Sequence, residues 1–333
     1  MFALWPTRPI LQKSIMAVGA MALAAFTSVS MAAAWPDRAI KMVVPFPAGS
    51  SPDTLARIVA EPLAQSLGQP VVVENKPGAG GNIGTRYASQ AKPDGYTILM
   101  TINGPMVTAP TLYKKTLGYN PETDLQPISL VGTSPNVLIV PKNSAAQSVK
   151  DLVDMAKQQP GVLNYGTVGP GSSSHLGMAM LEHEAGIRLQ QIPYPGFPQV
   201  ITSVINGDIQ AAFMVPGIAM PQIKADKVRA LAITSLEPSE VLPGIPTMVS
   251  EGYPGFESIS WNALFAPAGT PPEIVQKLNE EVTKILAQPM ARQKMASLYF
   301  TPAASSPEAL SERIRSEKLR WDGVINRLGL SLE

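Results

Sequence analysis

The sequence predicts an α/β protein of two domains. Each domain is a mostly parallel sheet flanked by helices, and two interdomain crossings join them. Three observations carry this. Short apolar runs rich in Val and Ile alternate with runs of helical spacing, the pattern of βαβ units. Thirty-three prolines and 26 glycines fall between those runs as punctuation, which favours many short elements over long helices. The chain has 333 residues. At about 150 residues per domain that is one large or two medium domains, and the alternation comes in two blocks.

Residues 1–34 read as a secretory signal peptide. Arg8 and Lys13 give a basic start, Ile15–Phe26 is an apolar run, and Ala32-Ala33-Ala34 offers small residues for cleavage. The run is short for a membrane span of about 20 residues and is interrupted by Gly19. An exported, periplasm-like protein is expected. In the first block, Ala39–Pro45 is a strand. Ser51-Pro52-Asp53 then opens a helix, with Ser51 as its cap, a proline at the first position and a carboxylate in the first turn. Leu55, Ile58, Val59 and Leu63 follow with helical spacing, and Pro62 is expected to kink that helix. Val71–Glu74 is a strand, Gly78–Gly84 a glycine-rich turn, Thr85–Lys92 a helix and Tyr96–Thr101 a strand.

The second block repeats the pattern. Val137–Pro141 is a strand, and Ser148 with Asp151 makes a capping box. Leu163–Tyr165 is a strand, followed by the loop Gly166–Ser174 and a helix from His175. Leu189–Tyr194, Ile209–Val215 and Ala230–Thr234 are strands, with a helix over Gln199–Asn206. Near the end, Thr270-Pro271-Pro272-Glu273 forms a second capping box before a helix, and Ser306-Pro307-Glu308 begins the last one. Crossings fall near Leu130–Pro141 and Pro243–Trp261, because the C-terminal helices need a sheet to cover. The expected division is 35–135 plus 250–333 for the first domain and 136–249 for the second.

Composition excludes several functions. Cysteine is absent, which removes disulfides, thiolate metal sites and a Cys nucleophile. A net charge of +1 gives no reason to expect nucleic acid or an anionic membrane surface. The glycine turn misses the G-x-G-x-x-G spacing, no P-loop is present, and no G-x-S-x-G elbow exists. The two histidines, His175 and His183, are eight apart and make a poor metal pair on a helix. No cofactor and no metal are implied.

Two loops stand out, Pro45–Asp53 and Gly166–His175. Each follows a strand, opens a helix, is rich in small residues and lacks Lys and Arg. Backbone N–H groups, hydroxyls and a helix N-terminus then converge on one spot, which suits an anion held without a salt bridge. Facing each other from two domains, such loops make a pincer. Core or hinge packing is the default for Phe46, Tyr194, Phe197 and Trp261, with one or two of them as pocket walls.

The chain resembles the substrate-binding receptors of tripartite tricarboxylate transporters, the Bug-type periplasmic binding proteins. The resemblance runs from Trp35-Pro36-Asp37-Arg38 through VVPFPAGSSPDTLAR, VVVENKPGAGGNIGT, KPDGYTILM, NYGTVGPGSSSHL, PYPG, NGDIQAAF and VRALAIT to SWNALFAPAGTPPEIVQKLN. It implies a flytrap of two α/β domains that closes on a small organic carboxylate, either a di- or tricarboxylate or an aromatic acid. It implies delivery to a membrane permease by a monomeric receptor, with no catalysis. Carried onto this sequence, the ligand positions are Phe46, Pro47, Ala48, Gly49, Ser50 and Ser51, then Gly169, Gly171, Ser172, Ser173 and His175. Asn103 stands where the family has a hydroxyl- or histidine-rich stretch. Two departures are specific. Ser50 replaces a usual glycine and must adopt its backbone shape. Phe197 replaces a small residue and either shrinks the pocket or stacks on a planar acid. The rival functions are a ligand sensor for a membrane signalling partner and a periplasmic enzyme using His175.

Overall fold

The computed structural model describes residues 1–3, 35–169 and 171–332. The segment expected to be a signal peptide lies outside them over residues 4–34. Residues 38–332 pack as one compact unit. Among the described residues, no helix is long and apolar enough to cross a membrane.

The first block forms β1 (Ile40–Val44), α1 (Ser51–Leu67), β2 (Val71–Asn75), α2 (Asn82–Ser89) and β3 (Thr97–Ile102). A short helical segment, Gly104–Thr108, runs into α3 (Ala109–Leu112), and β4 (Leu125–Pro135) follows. The second block forms β5 (Val137–Pro141), α4 (Val149–Gln158), β6 (Asn164–Thr167), α5 (Ser173–Ala185) and β7 (Gln190–Pro193). It continues through α6 (Phe197–Asn206), β8 (Ala212–Met214), α7 (Pro216–Lys224) and β9 (Val228–Ile233). The chain closes with β10 (Ile259–Pro267), α8 (Pro272–Ala287), α9 (Pro289–Ser297), β11 (Thr301–Pro302) and α10 (Pro307–Arg327).

One sheet has the order β11-β4-β10-β3-β1-β2. The second has β8-β5-β9, with the pair β6-β7 stitched beside β8 by Gly166 N–H to Ala211 O at 3.1 Å and Gln210 N–H to Asn164 O at 2.8 Å. The two share a plan. β1 pairs parallel with β2 and β3, and β6 pairs parallel with β7. β10 is antiparallel to both β3 and β4, and β5 is antiparallel to both β8 and β9. The mostly parallel sheets expected from the alternation are therefore mixed. The reason is topological: β5 and β10 are the strands that arrive directly from the other sheet. Only Asn136 separates β4 from β5, and residues 234–258 lead from β9 to β10.

Helices on both faces bury the central strands almost throughout, which explains their continuous apolar runs. Ile40, Met42, Ile98, Leu99 and Met100 are fully buried in one sheet, as are Val137, Ile139, Ala212 and Met214 in the other. The Ser148–Asp151 capping box forms with both reciprocal bonds. Its C-terminal counterpart does not. Thr270 donates instead to Pro267 O at 2.8 Å, and α8 begins after Pro271 without a side-chain cap. α1 runs on through Pro62 to Leu67. The cap of α1 is Ser50, one residue before the expected Ser51.

Candidate functional site

The first loop leaves β1 at Pro45 and enters α1 at Ser51. Asp53 in the first turn organises it. Its carboxylate accepts from Gly49 N at 2.9 Å, from Arg57 at 3.0 and 3.1 Å, and from Asn75 Nδ2 at 2.9 Å. The same Asn75 amide donates to Phe46 O at 3.0 Å. Burial pushes the Asp53 carboxyl up, but the bonds from Arg57, Gly49 and Asn75 outweigh it and hold the group below its ordinary range. The left-handed backbone of the loop falls on Gly49, at φ +80°, while Ser50 sits at φ −69°, open to any residue. Ser50 therefore needs no glycine-like backbone. Its hydroxyl is buried and has no hydrogen-bond partner among the described residues.

The second loop is held by its own side chains. Ser172 caps α5, accepting from His175 N at 3.3 Å and donating to Gly169 O at 2.7 Å. Ser174 accepts from Val168 N at 3.2 Å. His175 is buried, and its Nδ1 accepts from Gly171 N at 3.1 Å. Burial lowers the imidazole's affinity for a proton. Gly169 and Gly171 take φ of +108° and +76°, which glycine tolerates. The hydroxyls of Ser172 and Ser174 and the imidazole are thus committed inside the loop.

These loops border a cleft of about 720 Å³. Phe46, Gly49, Ser50, Ser51, Asn103, Ser173 and Phe197 line it. A smaller chamber of about 270 Å³ adjoins it and takes Gly171 and Ser172 into its wall. The two share Ile102, Asn103, Ser173 and Ser260, so these residues form the neck between them. Pro47, Ala48, Gly169 and His175 line neither cavity. The first residues of α1, α5, α6 and α7 all border the cleft, and among the described residues no Lys, Arg, His, Asp or Glu does. Four helix N-termini give the cleft a positive potential without a cation.

Of the aromatic residues, Phe46 and Phe197 are walls of the cleft. Tyr194 packs on the core of the second sheet. Trp261 is fully buried on the far face of β10, where Nε1 donates to Glu317 Oε2 at 2.9 Å. The glycine turn works by close approach. A side chain on Gly81 would meet the Phe46 ring at 2.7 Å, while Gly80 and Asn82 border the chamber.

Sequence reasoning missed the floor of the cleft. Ser134 and Asn136 come from the first crossing, Ser260 and Asn262 from β10, and Leu298 and Phe300 from the turn after α9. The run Ser260-Trp261-Asn262 puts its two polar residues on the strand face opposite the core tryptophan, but nothing in the sequence says which face meets the cleft.

The family model for the tripartite tricarboxylate transporter family receptor matches residues 55–330. The chain belongs to this receptor family. Protein BugT of Bordetella pertussis is 34% identical over 299 residues, covering 90% of this chain and 92% of BugT. An R. palustris protein solved with adipate is 33% identical with a TM-score of 0.76, covering 89% of this chain and 99% of that one. MatC from Rhodopseudomonas palustris, solved with bound malate, is 30% identical with a TM-score of 0.72, covering 87% and 100%. The two sheets with their two crossings are therefore the flytrap of a periplasmic solute receptor, and the family is one of receptors rather than enzymes. His175, the one residue that an enzymatic function would have used, has its Nδ1 occupied by Gly171 N–H.

Proposed function

We propose that this receptor binds a small organic carboxylate in the 720 Å³ cleft, closes two lobes around it and hands it to a membrane permease. The lobes are 35–135 plus 250–333 on one side and 136–249 on the other. The observation that carries the proposal is a cleft bordered by four helix N-termini and several hydroxyls, with no charged side chain among the described residues. Such a site stabilises an anion through N–H and O–H donors alone. Related receptors solved with adipate and malate support a carboxylate ligand.

In this reading Ser50, Ser51, Asn103 and Ser173 touch the ligand, Phe46, Gly49 and Phe197 shape its pocket, and Gly171 and Ser172 wall the adjoining chamber. Pro47, Ala48, Gly169 and His175 act through loop shape. The ligand bridges both lobes and shifts the population toward the closed form. The protein is exported as a monomer after removal of residues 1–34.

A thermal-shift panel of aliphatic dicarboxylates, tricarboxylates and aromatic acids tests this. An acid at 100 times its Kd stabilises the fold by about 2.7 kcal/mol, a rise of several degrees in the melting midpoint. A hit among aromatic acids makes Phe197 a stacking wall, and one among aliphatic acids makes it a packing residue. A panel without any shift rejects the carboxylate reading.

A further inference from the structure

Two polar groups of the cleft are buried without a partner among the described residues, the Ser50 hydroxyl and the Asn262 amide oxygen, and Asn262 is the more deeply buried residue. It is 1% exposed, borders the cavity, and its carboxamide oxygen has no hydrogen-bond partner among the described residues. Leaving a buried polar atom in this state is costly, so such atoms are rarely retained without a use. Its placement is specific. On β10, Asn262 lies opposite Ile102 of β3 and Gly132 of β4. The next residue, Ala263, lies opposite Leu130, so the register skips Val131 at this point. The extra residue is on β4, so the partner strand bulges directly beside Asn262, and such bulges gather beside functional sites.

We propose that Asn262 selects ligands that carry a hydroxyl in addition to their carboxylate. This rests on the carboxylate reading of the cleft. The amide oxygen needs a donor. A carboxylate offers only acceptors, so a second carboxylate satisfies the amide only when its nitrogen is turned inward. A hydroxyl donates to the oxygen or accepts from the nitrogen and fits both orientations. An ammonium group also donates, but among the described residues no Asp or Glu borders the cleft to balance its charge. In the same cleft, Leu298, Phe300, Ile218 and Phe197 provide apolar wall. The ligand class is therefore a hydroxy-substituted carboxylate with an apolar body.

The test uses matched pairs on the full mature receptor: malate against succinate, 4-hydroxybenzoate against benzoate, and 4-hydroxybutyrate against butyrate. Calorimetry should show at least one hydroxylated acid binding ten times or more tighter than its partner, since a site built for a hydroxyl rejects the analogue lacking it. Asn262→Leu should bring that ratio to within about twofold. The same variant should melt about 2–4 °C higher without ligand, because an unpartnered amide is replaced by an apolar side chain of similar volume. A wild-type ratio near one in every pair that binds overturns the proposal, as does a ratio that survives in Asn262→Leu. If no acid binds the wild type, the carboxylate reading has failed. The melting comparison then judges Asn262 alone: a higher midpoint supports a polar group held for a ligand, and a lower one overturns it.

Discussion

Asn136 donates its side-chain amide to the Ser258 carbonyl at 3.0 Å and so ties one crossing to the other. Thr234 completes the clasp. Its hydroxyl donates to Ser258 O at 2.7 Å, and the same oxygen accepts from Asn136 N at 2.8 Å. All three residues are buried. A flytrap needs crossings that bend together, and this cluster holds them at one point.

Removing the clasp should cost stability. Thr234→Val leaves Asn136 N without its acceptor and Ser258 O short of one donor. The expected loss is about 1–3 kcal/mol, read as a lower midpoint in thermal or denaturant melts. An unchanged midpoint would mean that the crossings are held elsewhere.

Asp53 should matter for the loop and for acid resistance. Its folded pKa is depressed below the ordinary 3.8. Its contribution is therefore complete above that value and is lost as pH falls through the lower folded value. Asp53→Asn should lower stability near neutral pH and flatten the acid side of the stability curve. Melts at about pH 6 and about pH 3 compare the two proteins. A parallel pair of curves would contradict this role.

His175 gives a second pH response. Above its ordinary 6.5 the imidazole is neutral both folded and unfolded. As pH falls below that value the unfolded chain takes the proton first, so the contribution is lost progressively toward the lower folded value. Protonation at Nδ1 also ends the bond from Gly171 N. Ligand affinity should fall on acidification, and His175→Gln should remove most of that slope. Calorimetry at about pH 7.5 and about pH 5 measures it. Equal slopes in both proteins would place the pH response in another group.

Trp261 separates packing from binding. Trp261→Phe takes a donor from Glu317, whose carboxyl burial already pushes upward. The variant should lose about 1–3 kcal/mol of stability while its Kd stays within about twofold. A large change in Kd with intact stability would put the indole in the binding site.

Much of the fold is legible because α/β units are local. β1 and α1 show their periods within about 25 residues, and Ser148 with Asp151 announces α4 by capping chemistry alone. β4 and β10 are not legible as strands. Both are buried on two faces and carry prolines and polar residues at their ends, so neither alternates cleanly. Their direction depends on where the chain arrives from, which no local pattern records. The site divides the same way. The pincer loops are visible from their glycines and serines. The floor at Ser260 and Asn262 is not, because only the fold decides which side of β10 meets the cleft. The commitment of Ser172 and His175 to their own loop is equally hidden, since their partners are backbone groups.

Ser173 tests the central claim most directly. It borders both cavities and opens α5, while its neighbour Ser172 is used up as the cap. Calorimetry of Ser173→Ala against an acid that shifts the wild type should show binding weakened at least tenfold, about 1.4 kcal/mol, with the melting midpoint of the ligand-free protein unchanged. Affinity equal to the wild type would contradict a ligand held between the two loops.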